Sequence, residues 1–303
     1  MTKYSRLKLT KDEDILNAFA GVVKRIGVGD CFEGLPVAYF DHALFWQGAD
    51  LKRRKGFPSW AWAGWIGLQL YVSEELDYIH LFGDEERYKD CEHRQWVHKA
   101  TEMELMQLSL KHATWIVYFV WDSTSTEKQP RLLRGEEPVK GVNPATEAHE
   151  ARFPGLPWNV LPTKSCYQPS EHISSAVRKR PSVLHFWTVS VYYELGDNTG
   201  RDGAKIIDSE GKVVGECEFD GSINSERGRI SVQFHEFIII SEQGDLNQER
   251  RKSSTYVPSE KYNVILIDWN GAISERIGSG HIGREAVFKS CRRPMEWKEI
   301  LLG

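Results

Sequence analysis

No stretch of this sequence is apolar for long enough to cross a bilayer as a helix. Its longest apolar runs, "TWIVYFVW" and "FIIIS", have the length of strands. Cysteine is scarce and unpaired in pattern. There are five (Cys31, Cys91, Cys166, Cys217, Cys291), an odd number with no CxxC spacing. That argues against a disulfide framework and for a reducing compartment. The opening "MTKYSRLKLTKDED" is charged and has no apolar signal core. These features together read as a cytoplasmic protein with no membrane partner. Charge of one sign is also missing. The net charge of −4 on 303 residues does not fit a dedicated nucleic-acid binder, which would be basic overall or on one face. No GxSxG elbow is present.

What the sequence has is aromatic mass. Aromatics make up 12% of the chain, with eleven tryptophans, so large plates build either the core or a binding surface. The densest block is "FPSWAWAGWIG", residues 57–67, where Pro58, Gly64 and Gly67 hem in Trp60, Trp62 and Trp65. If 59–63 is extended, Trp60 and Trp62 share one face, and Ala61 and Ala63 leave the other open to close approach. A sugar-binding platform would turn such rings flat to solvent. A core plug would bury them and give each indole N–H an acceptor. The plug is the favoured reading, because the N-terminal helices need an apolar surface to dock on. Trp60, Trp62 and Trp65, with Trp46 and Trp158, are the candidate ligand or partner surface. Pro58, Gly64, Asp41, Gly278 and Gly280 are the candidate structural positions.

Periodicity predicts an α+β fold. An N-terminal helical pair packs on a β-rich, mainly antiparallel C-terminal portion. Thr10 and Glu13 form a capping box ahead of a helix whose face carries Ile15, Ala18, Phe19, Val22 and Ile26. A second helix is predicted after "GLP", with Pro36 in its first turn, Val37, Phe40 and Leu44 at helical spacing, and Trp46 near its end. Residues 1–56 form this helical segment, continuous with a β-rich domain over 57–303, and the whole is one compact unit. Strands are predicted over 112–122, 183–195, 230–241 and 262–278, with a hairpin over 203–220 turning at Ser209-Glu210-Gly211. Short connections without helices imply antiparallel pairing. Residues 123–182 carry eight prolines and read as an irregular insertion. They and the polar loop at 242–261 are the expected contact segments.

Several motifs invite chemistry and are better explained without it. Gly278-Ser279-Gly280-His281-Ile282-Gly283 spells GxGxxG, but only twenty residues follow, with Pro294 among them. They cannot hold the helix and the second strand with an acid that a dinucleotide site needs. The reading is a glycine-rich turn. Cys91, His93 and His98 lack a second ligand pair, so no metal site is assigned. Asp41 and His42 are adjacent on a helix and do not face each other as a dyad. A buried hydrogen bond or exposure suits them better. The basic runs at 177–181 and 248–254 read as solvated loops.

Three blocks in order carry a resemblance: "YSRLKLTKDEDILNAFAGV", "GLPVAYFDHALFWQ" and "RRKGFPSWAWAGWIG". They resemble the region that follows the HET domain in fungal heterokaryon-incompatibility proteins. That region has a YS-R-LT start, a D-LNA-AG helix, a GLP-FD-ALLW helix and an FPSWSWAGW signature. "KYNVILIDWNGAISERIGSGHI" is similar to that family's downstream strand and R-G-G-I turn. In the family the HET domain precedes these blocks. Here Met1 stands almost directly on the first, and the HET-type "WG" and "YxWID-x-CIDQ" motifs are absent. The resemblance therefore implies a C-terminal region without the death-inducing domain. It implies a non-enzymatic recognition or regulatory module in non-self recognition and cell death. Its partner would be a protein, a HET-domain protein being the candidate, and it needs no cofactor. The alternatives are a carbohydrate or small-ligand binder using the tryptophans, and a hydrolase with dispersed catalytic residues.

Overall fold

A computed structural model describes residues 11–26, 29–37, 40–71, 115–122, 130–134, 156, 177, 180, 182–198, 203–221, 234–242 and 261–303. The predicted helical pair is not there. Strands account for 57% of the interpretable residues, and only two short helices accompany them. The first, α1 (Ile15–Ile26), follows a 3₁₀ turn at Asp12–Asp14. That turn is entered from Lys11 with no side-chain cap, and Thr10 lies outside the described residues. The side chains of Val22 and Ile26 lie outside those described, so the predicted stripe of α1 is seen only at Ile15, Ala18 and Phe19. Ile15 and Phe19 are buried and Ala18 is exposed. Leu16 and Val23 also pack against the core, bringing it more apolar surface than Ala18 can.

The second helix, α2 (Phe40–Ala43), is one turn long. Leu44 closes it with a backbone bond to Phe40. Trp46, predicted to end a helix, opens a strand. A helix this short gains one or two hydrogen bonds against the cost of nucleation. The hairpin it gives way to pairs over two strands, β3 (Trp46–Arg53) and β4 (Trp65–Tyr71), from Trp46 opposite Tyr71 to Arg53 opposite Trp65. Ahead of α2, β1 (Cys31–Phe32) and β2 (Leu35–Pro36) make a minimal hairpin.

The remaining strands are β5 (Tyr118–Asp122), β6 (Arg131–Arg134), β7 (Ser182–Asn198), β8 (Gly203–Ile207), β9 (Val213–Phe219), β10 (His235–Glu242), β11 (Lys261–Asn270), β12 (Ile273–Gly283) and β13 (Glu296–Leu302). They form one sheet, antiparallel except for a single parallel bridge between β12 and β13. The order β10-β11-β12-β9-β8-β7, with β7 also pairing β10, closes a circuit into a barrel. The long β7 makes this possible. Its N-terminal half lies between β5 and β13, and its C-terminal half between β10 and β8. The predicted hairpin at 203–220 is present. Its turn is knit by Asp208, whose carboxylate accepts the backbone N–H groups of Glu210 and Lys212, both at 2.9 Å.

Two cores result. Val189, Val191, Tyr193, Ile206, Cys217, Phe237, Ile239, Val264, Leu266 and Ile282 fill the barrel from six strands. The alternate residues Ile238, Ile240, Ile265 and Ile267 face outward with Phe186 and Ile300, where the tryptophan-rich N-terminal segment covers them. Period-two alternation thus gives β10 and β11 two buried faces.

Candidate functional site

The N-terminal segment meets the barrel at the tryptophan block. Trp46, Trp60 and Trp62 are fully buried, and Trp65 is 7% exposed. Residues 59–63 do not run as an extended strand. The chain turns through a 3₁₀ helix at Trp62–Gly64, which sends Trp60 and Trp62 to different neighbours. Trp60 stacks on Phe32 at 5.8 Å and meets Phe40 edge-on at 5.9 Å. Trp62 meets Phe19 at 5.0 Å. Three indoles find carbonyl acceptors. Trp46 donates to Trp60 at 2.9 Å, Trp62 to Gly34 at 3.0 Å and Trp65 to Ser59 at 2.8 Å. The Trp60 N–H has no hydrogen-bond partner among the described residues. Pro58 is buried beside them. At Gly64 a Cβ would stand 2.4 Å from the Pro58 carbonyl, so the turn admits only glycine. Trp158 lies outside the described residues.

One cation fastens this block to the barrel. Arg276, on β12, is buried with Asp220. Its Nε donates to Asp220 Oδ2 at 2.5 Å and its Nη2 to Oδ1 at 3.1 Å. The guanidinium also donates to the carbonyls of Leu44 and Trp46 and, at 3.2 Å, to Ser279 Oγ. The backbone N–H of Arg276 donates to Ser59 Oγ at 2.8 Å. Ser59 in turn donates its own N–H to the Gly303 carbonyl at 2.8 Å. Burial pushes the Asp220 carboxyl above its ordinary range, against the pull of Arg276. Such a pair needs its full set of partners to offset desolvation. Here the guanidinium fork is met on every side.

A second cluster lies where β7, β10, β11 and β13 come together. Glu236 accepts from Ser190 at 2.6 Å, Lys298 at 2.7 Å and the Trp269 indole at 2.7 Å. Burial works to raise its pKa, and the three donors outweigh it and leave the carboxyl below its usual value. Lys298 sits 4.5 Å from the Trp269 ring centroid. Nearby on β7, His185 Nε2 lies 2.7 Å from Glu299.

Asp41 is buried and lies 2.5 Å from Arg134; the side chain of His42 is outside the described residues. Gly278 and Gly280 lie inside β12, opposite Phe219 and Cys217 of β9. The predicted glycine-rich turn is thus corrected to a strand. A Cβ at Gly280 would stand 2.0 Å from the Glu216 carbonyl, so close strand approach, not phosphate binding, demands the glycines. Cys91, His93 and His98 lie outside the described residues, among which no group of three His, Cys, Asp or Glu is placed to hold a metal ion. No helix among them is long and apolar enough to cross a membrane. Of the basic run at 177–181, Arg180 forms an ion pair with Glu275 at 2.6 Å.

Sequence reasoning missed Arg276, Asp220, Ser59, Glu236 and Lys298. A signal for Arg276 exists in "SERIGSG". A long cation beside Gly278, Ser279 and Gly280 has small neighbours that leave it room. The geometry defines a β-barrel with an aromatic plug fixed to its outer face. Comparison with protein-family models, characterised proteins and solved structures finds no match to this chain.

Proposed function

We propose that this protein is a recognition or regulatory module that carries no reaction of its own and acts in the cytoplasm by contact with another protein. The observation that supports this reading is the state of the tryptophan block. Its rings are packed away from solvent, three of its four indole N–H groups are bonded to backbone carbonyls, and a buried ion pair is used to fix the block to the barrel. Such an arrangement builds a rigid scaffold. Recognition then falls to the segments between strands, as it does on other β scaffolds.

The ordered motifs that resemble the post-HET region of incompatibility proteins point to the partner class, a protein carrying a HET domain. The test is co-expression of this chain with a full-length HET-domain protein, followed by affinity capture through a tag on either. Stable co-purification supports the reading, and its absence from both directions overturns it. Titration with a panel of glycans and nucleotides serves as the counter-test. A change in tryptophan emission on saturable binding would favour the small-ligand class instead.

A further inference from the structure

Two of the three exposed large apolar side chains among the described residues stand at one end of the barrel. Phe288 is 58% exposed and Val213 48%; the third, Leu132, lies on β6. Phe288 belongs to a 3₁₀ helix, Arg284–Lys289, that follows β12, and Val213 opens β9 after the β8–β9 turn. The two segments are tied together. Ser209 of the turn donates its backbone N–H to the Lys289 carbonyl at 3.2 Å, and Lys289 Nζ donates to Glu210 at 2.8 Å.

The chain on either side of Phe288 is held firmly. Ala286 and Val287 are buried. The Ala286 carbonyl accepts from the Tyr193 hydroxyl at 2.8 Å. Cys291 donates its N–H to the Tyr192 carbonyl at 2.7 Å, and Ser290 Oγ accepts the Tyr192 N–H at 2.9 Å. A ring presented on a backbone fixed at these points loses little freedom when a partner covers it.

Cations flank the ring in the chain. Arg292 and Arg293 are exposed, and among the described residues neither side chain has an ion pair or a hydrogen bond. A single exposed ring is ordinary. A fixed ring close in sequence to two unpaired arginines has the chemistry of an interface hot spot. We propose that Phe288, Arg292 and Arg293, with Val213 at the same end, form the docking surface of this module, and that its occupant is an acidic protein segment carrying an apolar side chain. This surface gives the contact-module reading, on which it rests, a place and a partner chemistry. Charge complementarity names the occupant. Guanidinium forks take carboxylates edge-on, and the ring takes the apolar side chain. An anionic membrane fits less well. In a 3₁₀ helix residues three apart stand over each other, so the exposed Glu285 shares the face of Phe288 and would meet lipid headgroups of its own sign. A peptide can lie along the arginines and pass that carboxylate by.

The test is fluorescence anisotropy, titrating the full chain into a fluorescein-labelled peptide that repeats aspartate, leucine, glutamate and glycine. We expect saturable binding that weakens as salt rises from about 0.05 to 0.3 M. Arg292→Glu combined with Arg293→Glu should weaken it at least about tenfold, and Phe288→Ser about threefold to tenfold. Lys24→Glu combined with Lys52→Glu changes the net charge by the same amount, at exposed positions of the N-terminal segment, and should change the affinity little. Absence of binding, equal losses in the two charge-matched double variants, or an unaltered affinity in Phe288→Ser overturns the proposal. So does co-sedimentation with vesicles of phosphatidylcholine and phosphatidylserine that Arg292→Glu with Arg293→Glu abolishes, which would assign the surface to a membrane. The peptide needs no HET-domain protein. A failed capture therefore tells against the contact reading, and a failed titration against this surface alone.

Discussion

The guanidinium of Arg276 lies over the indole of Trp46, its central carbon 3.9 Å from the ring centroid, and the same guanidinium donates to the Trp46 backbone carbonyl. One residue of the barrel thus grips one residue of the aromatic block by its face and by its main chain. The arrangement suits arginine. Its planar fork stacks on a ring while its edge serves Asp220, a division that a lysine ammonium cannot make.

Removing this cation should therefore destabilise both layers. Arg276→Met leaves Asp220 buried without its main counter-charge, and we expect a loss of about 3–5 kcal/mol in chemical denaturation. Arg276→Met combined with Asp220→Leu should recover much of that loss, because the unpaired charge is gone. Recovery should be incomplete, since the carbonyls of Leu44 and Trp46 still lack their donor. Additive losses in the double variant would show that the pair is not coupled.

A strand interior made of glycine gives a second prediction. Gly280→Ala places a methyl group 2.0 Å from the Glu216 carbonyl. Backbone cannot yield as a side-chain tip does, so β12 and β9 must separate or shift. We expect a cost of about 1–3 kcal/mol. Gly271→Ala is the comparison. That glycine turns between β11 and β12 at φ 68° with open space around it, so its cost is only the left-handed backbone, about 1 kcal/mol. Equal melting temperatures for the two variants would argue against the close strand approach.

The strands were legible in the sequence and the helical pair was not, for physical reasons. "FHEFIIIS" and "YNVILIDW" are rich in β-branched residues, which favour the pleated surface, and they form β10 and β11 as predicted. "GLPVAYFDHALFW" shows helical spacing at Val37, Phe40 and Leu44, and one turn satisfies it. Beyond that turn, the pairing of Trp46 with Tyr71 across a hairpin decides the conformation, and local spacing carries no information about a partner twenty-five residues away. The closure of the barrel was hidden for the same reason. The tryptophans were expected to be buried and are, but the reason for expecting it, a helical pair in need of an apolar surface, does not hold. Their clamp was not legible, because Arg276 and Asp220 meet Leu44 and Trp46 only in the fold.

Two buried carboxylates should respond to acid in opposite directions. The Asp41 carboxyl is raised to about 6 in the folded protein. Its contribution to stability is fully present below the ordinary aspartate value near 4, and is lost as pH rises through about 6. The size is about 3 kcal/mol from the difference between those values. Glu236 is lowered instead, because donors from Lys298, Ser190 and Trp269 outweigh its burial. Its contribution is present above the ordinary glutamate value and fades as pH falls through the folded one. Urea titrations from pH 3 to 8 should show Asp41→Asn losing the fall between pH 4 and 6, and Glu236→Gln losing stability mainly at neutral pH. A wild-type profile flat from pH 4 to 6 that Asp41→Asn leaves unaltered would refute the first half.

The tryptophans themselves allow a comparison at equal burial. Trp60 and Trp62 are both fully buried, so replacing either with phenylalanine removes similar apolar contact and leaves a similar void. Their indole N–H groups differ. Trp62 donates to the Gly34 carbonyl at 3.0 Å, whereas the Trp60 N–H has no acceptor among the described residues. Trp62→Phe leaves a buried carbonyl without its donor. Trp60→Phe removes a buried donor that was already unpaired, which offsets part of the packing loss. Trp62→Phe should therefore cost about 1–2 kcal/mol more than Trp60→Phe, read from denaturation midpoints at a common slope. The reverse order would mean that the Trp60 ring, wedged between Phe32 and Phe40, holds the block by shape alone, and that the hydrogen bond to Gly34 adds little to the fit of the segment on the barrel.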